Sequence, residues 1–187
     1  MVDKVYLSAQ GLLEDSFRLG LEIFNSEFRP DFIVGVWRGG TPVGIAVQEI
    51  LDNLGVKTDH ISIRTSSYTG IGERGRKVRV HGLDYIIRNV DAHHSLLIVD
   101  DVFDTGLSIK AVIDTLRAKA RLNTPGDIRI ATPWFKPANN KTELEPNYYL
   151  HKSDDWLVFP HELNGLERHE VLAHKPGMKA IFEEYGI

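Results

Sequence analysis

The sequence predicts an α/β fold in which helices flank a Rossmann-like, mostly parallel sheet. One observation predicts this fold class and a second predicts the number of domains. Apolar runs of strand length alternate along the chain with segments of helical periodicity, and short turns join the end of one to the start of the next. A chain of 187 residues without internal repeats is about the length of one domain. We therefore expect a single domain over residues 1–187, with its core at about 30–135.

Helical and extended segments alternate in the N-terminal half. Ser8 is a typical helix-capping residue, and apolar residues recur behind it at helical spacing. Pro42 suits the first turn of a second helix, where the missing N–H of proline costs nothing. The predicted elements are a helix over 8–24, a strand over 31–37, a turn over 38–41, a helix over 42–54 and a strand over 56–63.

The alternation resumes in the second half after one interruption. Residues 64–81 contain glycines at 70, 72 and 75 and few large apolar side chains, which predicts a long loop or a loose hairpin. Beyond it, the predicted elements are strands over 96–99 and 128–135, helices over 108–120 and 178–185, and short apolar stretches at 148–150 and 156–159. Ligands of parallel sheets bind at the carboxyl ends of strands, so the turns that follow strands are expected to carry the function.

Composition excludes several classes of protein. The absence of cysteine excludes a disulfide scaffold, a thiol nucleophile and a Cys-ligated metal site. The formal net charge of −4 is unfavourable for a general nucleic-acid binder, whose domain is normally basic. No apolar run approaches the ~20 residues of a membrane span, and we find no secretory signal. We expect a cytoplasmic protein without nucleic-acid or membrane partners.

A strand that ends in carboxylates carries the strongest functional signal. The apolar run 96–99 is followed at once by Asp100 and Asp101, and then by a turn of small and hydroxyl-bearing residues that opens a helix. The backbone N–H groups and hydroxyls of residues 104–108 can cradle a phosphate at that helix N-terminus. The carboxylates can accept hydrogen bonds from vicinal hydroxyls or hold Mg²⁺. A sugar phosphate with a divalent cation suits both halves of the turn.

A resemblance to the phosphoribosyl pyrophosphate signature of type I phosphoribosyltransferases is carried by the run Leu97-Ile98-Val99-Asp100-Asp101-Val102-Phe103-Asp104-Thr105-Gly106. It implies the fold of that family, phosphoribosyl pyrophosphate as a substrate, and Mg²⁺ as a cofactor. It also implies that Asp100 and Asp101 hold the ribose hydroxyls and the metal, and that Asp104 is the general base. The remaining implied contacts to the 5′-phosphate and pyrophosphate are Thr105, Gly106, Leu107, Ser108, Arg38 and Gly39.

Two further segments resemble parts of the same family. Arg38 and the glycines behind it resemble the pyrophosphate loop, and the Trp37–Arg38 bond is the candidate for the non-proline cis peptide common there. Residues 64–81, the hood segment, resemble the flexible hood that closes over the active site, with Ser67 and Tyr68 in its Ser-Tyr element. The hood segment carries a net charge of +4, so the other residues sum to −8. Positive charge there suits a highly anionic substrate.

The base-recognition region (136–165) is most similar to that of the 6-oxopurine enzymes, the xanthine–guanine and hypoxanthine phosphoribosyltransferases. Lys136 resembles the lysine that reads the purine O6, and Trp156, twenty residues later, resembles the tryptophan that stacks on the ring. The resemblance also assigns base contacts to Leu157 and Glu162, and implies a homodimer or homotetramer. The expected function is purine salvage on hypoxanthine, guanine or xanthine.

Two alternatives remain open. A regulator with this fold would bind nucleotide or RNA without catalysis, although Asp104, Lys136 and Trp156 and the acidic balance oppose it. An enzyme of the same class acting on another base would keep the phosphoribosyl site. Lys136 disfavours adenine, because an ammonium cannot accept the hydrogen bond that an exocyclic amine offers.

Overall fold

The computed structural model describes residues 4–69 and 76–187, which fall into two compact units. The core unit comprises residues 13–154, and the terminal unit comprises residues 1–12 and 155–187. Within the described residues, no helix combines the length and the apolarity needed to cross a membrane. The expectation of one domain over 1–187 stays a prediction, and the two units are described separately below.

The elements alternate along the chain as the fold class requires. The strands are β1 (Lys4–Tyr6), β2 (Phe32–Trp37), β3 (Asp59–Thr69), β4 (Arg76–His81), β5 (Ser95–Val99), β6 (Val102–Phe103), β7 (Asp127–Ala131), β8 (Trp134–Phe135), β9 (His151–Lys152) and β10 (Trp156–Val158). The α-helices are α1 (Ala9–Asn25), α2 (Gly40–Asn53), α3 (Asp84–Asn89), α4 (Leu107–Ala120), α5 (Arg168–His174) and α6 (Met178–Tyr185). Short 3₁₀ turns lie at Arg121–Asn123 and Pro137–Asn139.

The core unit is built on a five-stranded sheet in the order β4-β3-β2-β5-β7. The pairs β2–β3, β2–β5 and β5–β7 are parallel, and only β4 runs antiparallel to its neighbour β3. A second, small parallel sheet has the order β6-β8-β9; β6 follows β5 in the chain and β8 follows β7. The predicted mostly parallel sheet is therefore confirmed.

Both faces of the central sheet are covered by helices. Side chains of a strand alternate between its faces, and those of β2 and β5 on one face join an apolar cluster with buried residues of α3 and α4. On the other face α2 approaches β2 closely, since a Cβ added at Gly44 would lie 3.6 Å from the Cα of Gly35. Helix α1 packs on α2 in the same way, because a Cβ at Gly20 would lie 2.2 Å from Cγ2 of Ile50.

The terminal unit joins the two ends of the chain. Strand β1 pairs in parallel with β10, and α5 lies against β1 through Glu170, which accepts hydrogen bonds from Lys4 Nζ at 2.6 Å and from the Tyr6 hydroxyl at 2.9 Å. The Tyr6 ring also stacks on His174, with centroids 3.8 Å apart. A capping box between Glu167 and Glu170 begins α5.

Most predicted elements are confirmed to within a few residues, and three differ. Ser8 caps α1 by accepting the Gly11 N–H at 2.9 Å, as expected. The predicted strand over 56–63 is instead β3, which starts three residues later and runs on to Thr69. Helix α2 starts two residues before the predicted 42. The single strand predicted over 128–135 is wrong: it divides into β7 and β8, because Pro133 between them has no N–H for a ladder.

Candidate active site

The acidic turn (residues 100–108) begins where β5 ends. The Asp101 N–H donates to Asp100 Oδ1 at 3.0 Å, and the Gly40 N–H also donates to the Asp100 carboxylate. Desolvation and the neighbouring charge of Asp101 raise the pKa of Asp100 well above its usual range, while these two backbone donors act in the opposite direction. Two adjacent carboxylates that repel each other form a place where a cation would be stabilised.

The structure brings the predicted pyrophosphate loop against these carboxylates. Strands β2 and β5 are parallel neighbours, so their carboxyl ends meet at one edge of the sheet. A Cβ added at Gly39 would lie 1.7 Å from Asp101 Oδ2, and one at Gly40 would lie 2.4 Å from the Val99 carbonyl oxygen. The loop therefore approaches Asp100 and Asp101, the acidic pair, only because Gly39 and Gly40, the glycine pair, lack side chains.

The Trp37–Arg38 peptide bond, one residue before the glycine pair, is cis, as predicted. The side chains of Trp37 and Arg38 are both exposed. The Thr41 N–H donates to the Arg38 carbonyl at 3.2 Å, which closes the turn that leads into α2. The Arg38 guanidinium thus stands at the surface next to the glycine pair.

The second half of the acidic turn surrounds a small cavity at the start of α4. Gly106 precedes the helix with φ of 73°, a left-handed conformation that favours glycine. The cavity, about 70 Å³, is lined by Asp104, Thr105, Gly106 and Ser108 among others, and is larger than the ~30 Å³ share of one water. Asp104 Oδ1 is buried and has no hydrogen-bond partner among the described residues. The helix N–H groups at this cavity favour an anion, whereas the Asp104 oxygen is an acceptor that only a proton-donating group could satisfy.

A loop at residues 140–142, which the sequence did not predict, packs against this turn. The Lys141 N–H donates to the Thr105 carbonyl at 3.0 Å, and a Cβ at Gly106 would lie 2.6 Å from Thr142 Oγ1. Asn140 Oδ1 accepts the Thr142 N–H at 2.9 Å, which folds the loop on itself. The Asn140 and Thr142 pair is the signal that could have found it, since such side chains commonly organise turns.

Lys136 lies beside the same turn. Its N–H donates to the Phe103 carbonyl at 2.9 Å, and the neighbouring Phe135 packs edge-on against Phe103 with centroids 5.6 Å apart. The side chain is only 9% exposed, and no residue in the described part of the chain offers an acceptor to its Nζ within hydrogen-bonding distance. A contact from Lys136 to a purine stays a prediction.

The terminal unit holds the other predicted base contacts. Trp156 and Leu157 lie on β10, where Trp156 is 53% exposed and Leu157 is buried. Glu162 Oε2 accepts the Phe159 N–H at 2.9 Å, closing the turn that follows β10. The structure places these residues in a different unit from Lys136. A base site shared between them stays a prediction.

The described residues of the hood segment form two paired strands, which fits the hairpin among the two predicted alternatives. Strands β3 and β4 pair from Arg64 opposite His81 to Thr69 opposite Arg76. Ser67 is exposed on β3, whereas the side chain of Tyr68 and the whole of residues 70–75 lie outside the described part of the chain. Closure of the hood over the site, and contacts from Ser67 and Tyr68, stay predictions.

A profile of the phosphoribosyl transferase domain matches residues 5–167 of the sequence. The chain belongs to this family. The predicted family, fold class and enzyme class of a phosphoribosyltransferase are therefore confirmed. The match ends just before α5, so the phosphoribosyltransferase carries α5 and α6 beyond the matched region. No curated protein sequence matches the chain significantly.

Solved structures share the fold of this phosphoribosyltransferase over most of its length. A purine phosphoribosyltransferase from Pyrococcus horikoshii has 29% identity and a TM-score of 0.67, covering 89% of this chain and 99% of its own. A hypothetical protein from Neisseria gonorrhoeae with bound ppGpp has 17% identity and a TM-score of 0.74, covering 92% and 97%. A Helicobacter pylori xanthine-guanine-hypoxanthine phosphoribosyltransferase has 18% identity and a TM-score of 0.59, covering 84% and 92%.

Proposed function

We propose that this phosphoribosyltransferase transfers the 5-phosphoribosyl group of phosphoribosyl pyrophosphate to a 6-oxopurine, releasing pyrophosphate, as a step of purine salvage. The observation that carries the proposal is the meeting of the glycine pair, the acidic pair and the N-terminus of α4 at the carboxyl ends of β2 and β5. Two features support a purine as acceptor: the 29% identity to the purine phosphoribosyltransferase of P. horikoshii, and the ammonium of Lys136, which has no hydrogen-bond partner within residues 4–69 and 76–187.

Each anionic part of the substrate has a matching part of the site in this proposal. The 5′-phosphate occupies the cavity at the start of α4, where backbone N–H groups and the positive end of the helix dipole favour an anion. The pyrophosphate lies at the exposed guanidinium and glycine backbone. The residues assigned to these groups are Thr105, Gly106, Leu107 and Ser108 for the 5′-phosphate, and Arg38 and Gly39 for the pyrophosphate.

The residues of the acidic pair fit Mg²⁺. Asp100 and Asp101 offer the hard oxygen ligands that this ion prefers. Burial and then the charge of Asp101 raise the pKa of Asp100, and a bound cation would oppose that rise. The described residues hold no cluster of three or more acidic or histidine side chains suited to a metal. In general, Mg²⁺ at sites of this kind is held by one or two carboxylates together with substrate phosphates. When bound, Mg²⁺ neutralises the pyrophosphate and makes it a better leaving group.

The reaction breaks one bond and forms one bond at C1′ of the ribose. N9 of the purine bonds to C1′ while the C1′–oxygen bond to pyrophosphate breaks, and the pyrophosphate keeps the electron pair. Positive charge grows on the ribose ring, and the carboxylates of Asp100 and Asp101 stabilise it and hold the ribose hydroxyls. The buried oxygen of Asp104 takes the proton from N7, which leaves the purine ring of the nucleotide uncharged.

Base selection is assigned to both units of the chain. Lys136 donates to the purine O6, Trp156 stacks on the ring through its exposed face, and the far edge of the base lies at the segment that carries Leu157 and Glu162. Adenine is rejected, because its 6-amino group and the Lys136 ammonium are both donors. The hood, including Ser67 and Tyr68, closes over the substrates and excludes water. The active form is a homo-oligomer, dimer or tetramer.

A base panel tests the proposal directly. The protein is incubated with phosphoribosyl pyrophosphate, Mg²⁺ and each of hypoxanthine, guanine, xanthine, adenine, uracil and orotate, and nucleotide formation is followed by chromatography. We expect turnover with at least one oxopurine and none with adenine. Turnover only with adenine or a pyrimidine would favour an enzyme for another base. Nucleotide or RNA binding without any turnover would favour the regulator.

The general base is tested in the same assay. Asp104→Asn is expected to lower kcat by about 10²- to 10⁴-fold, because general-base catalysis contributes that range. Asp114→Asn is the matched control: Asp114 lies on α4, the helix that follows the acidic turn, is 54% exposed, and pairs with Lys110 at 3.5 Å on the surface. Full turnover in Asp104→Asn would remove the proposed role.

A further inference from the structure

The peptide groups of Phe159 are held from both sides by side chains. Phe159 directly follows β10 and is 3% exposed. Its N–H donates to Glu162 Oε2 at 2.9 Å. Its carbonyl accepts hydrogen bonds from Lys175 Nζ at 2.6 Å and from the Glu162 N–H at 3.0 Å. Both polar groups of this one residue are therefore committed to the protein itself.

The contact from Lys175 is unusual because the lysine is buried. Its side chain is 7% exposed, and it lies between α5 and α6, beyond the residues 5–167 that match the family profile. A buried ammonium is unfavourable unless it is hydrogen-bonded, so the Phe159 carbonyl fixes where Nζ can be. Burial lowers the pKa of Lys175, and the charge of the nearby Glu162 carboxylate opposes this shift.

Because of the geometry of β10, the contacts of Lys175 and Glu162 with Phe159 have a consequence for ligand binding. One edge of β10 is paired with β1, where the Val158 carbonyl accepts the Leu7 N–H at 3.0 Å. Successive residues of a strand direct their peptide groups to opposite edges, so Leu157 and Phe159 direct theirs away from β1. An unpaired strand edge offers its N–H and C=O groups to any partner. Because both polar groups of Phe159 are already hydrogen-bonded, the Leu157 peptide is the one left for a base at this edge, as far as the described residues show.

We propose that Lys175 and Glu162 are positioning residues for base recognition. By occupying the carbonyl and the N–H of Phe159, they confine the backbone contacts of the purine to Leu157 and fix the distance from that peptide to the ring. The inference rests on the proposed function. It gives Glu162 a different role from the direct contact with the purine that the family resemblance implies. It also gives the segment beyond the family match a function in selecting the base.

The test uses variants of the full chain and the oxopurines that turn over in the base panel. Lys175→Met and Glu162→Leu each remove one charged hydrogen-bond partner of Phe159. We expect the KM for the base to rise about 10- to 100-fold, the range for a lost hydrogen bond to a charged group, with the KM for phosphoribosyl pyrophosphate within about twofold of wild type. The ratio of the kcat/KM values for oxopurines that differ at C2 should move toward one. Lys175→Arg and Glu162→Gln keep a donor and an acceptor, and should restore the base KM.

Glu170→Gln is the matched control in the same terminal unit. It weakens the contacts to Lys4 and Tyr6 and does not touch Phe159, so the base KM should not change. The inference is overturned if Lys175→Met and Glu162→Leu leave the base KM unchanged, if they raise both KM values equally, or if Glu170→Gln raises the base KM as much. If Lys175→Met does not fold, Glu162→Leu and Lys175→Arg decide. Absence of turnover by the wild-type enzyme would instead refute the proposed function.

Discussion

Glycines at residues 39 and 106 decide whether the candidate site can form at all. At Gly39 a side chain would collide with the Asp101 carboxylate, and at Gly106 it would meet both Thr142 and the Phe103 ring. In each case the neighbour belongs to the site or to the loop that supports it. Here the absence of a side chain is a property of the site, because it lets the two turns share one edge of the sheet.

Substitution of Gly106 should be far more damaging than substitution of another left-handed glycine. Gly106→Ala must place a Cβ 2.6 Å from Thr142 Oγ1 and 2.7 Å from Phe103 Cζ, with φ of 73°. Gly55→Ala has a similar φ of 86° but nothing within 4 Å. We expect Gly55→Ala to lower the free energy of unfolding by about 1–2 kcal/mol, the cost of the left-handed backbone alone. Gly106→Ala should lose more stability and nearly all turnover.

Urea unfolding followed by circular dichroism measures the difference between these two variants. Equal destabilisation, with activity kept in both, would mean that the turn relaxes around the added methyl group. It would then follow that the close packing of Gly106 against Phe103 and Thr142 is not needed for the site.

The elements that the sequence could predict are those whose signal is local. The strand before Asp100 and the helix behind Gly106 are marked by an apolar run, a turn and a periodic segment within about a dozen residues. Strand β1 and helix α5 have no such signal, because they are held by Lys4, Tyr6 and Glu170 across the length of the sequence. The contact between the glycine pair and the acidic pair could not be predicted from sequence either. Each motif is recognisable by itself, but their contact depends on β2 lying beside β5.

The acid stability of the terminal unit should depend on Glu170. Hydrogen bonds from Lys4, the Glu167 N–H and Tyr6 lower the pKa of Glu170 from the usual 4.5 to about 2. The folded state thus binds fewer protons than the unfolded state between these values. The stabilisation by Glu170 is complete above about pH 4.5 and is lost as the pH falls toward 2.

Glu170→Gln should therefore be less stable than wild type at pH 7, and the difference should shrink below the usual carboxyl pKa of 4.5. Urea midpoints followed by far-ultraviolet circular dichroism across this range measure it. Glu184→Gln, an exposed change on α6, is the control and should show no such trend. A constant difference between Glu170→Gln and wild type at all pH values would contradict the assigned pKa.

At the scale of the whole molecule, charge is unevenly divided along the chain. The formal charge of −4 is the sum of a hood segment at +4 and a remainder at −8. A uniformly acidic protein would repel phosphoribosyl pyrophosphate at every approach. The described residues of the basic segment, 64–69 and 76–81, pair as β3 and β4 at one edge of the central sheet, and we expect their positive charge to attract this substrate.

The KM for phosphoribosyl pyrophosphate should then depend on ionic strength, whereas the KM for the uncharged purine should not. Added salt shortens the range of the field, which extends ~10 Å at 0.1 M. We expect the first KM to rise several-fold between ~0.02 and ~0.3 M KCl at fixed free Mg²⁺. Arg79→Gln, in the hood segment, should flatten this rise, and Arg88→Gln, exposed on α3 outside it, should leave it unchanged. If salt shifts both KM values alike, or if the two arginine variants behave alike, the hood's charge does not attract the substrate, and its contribution to binding must come from short-range contacts.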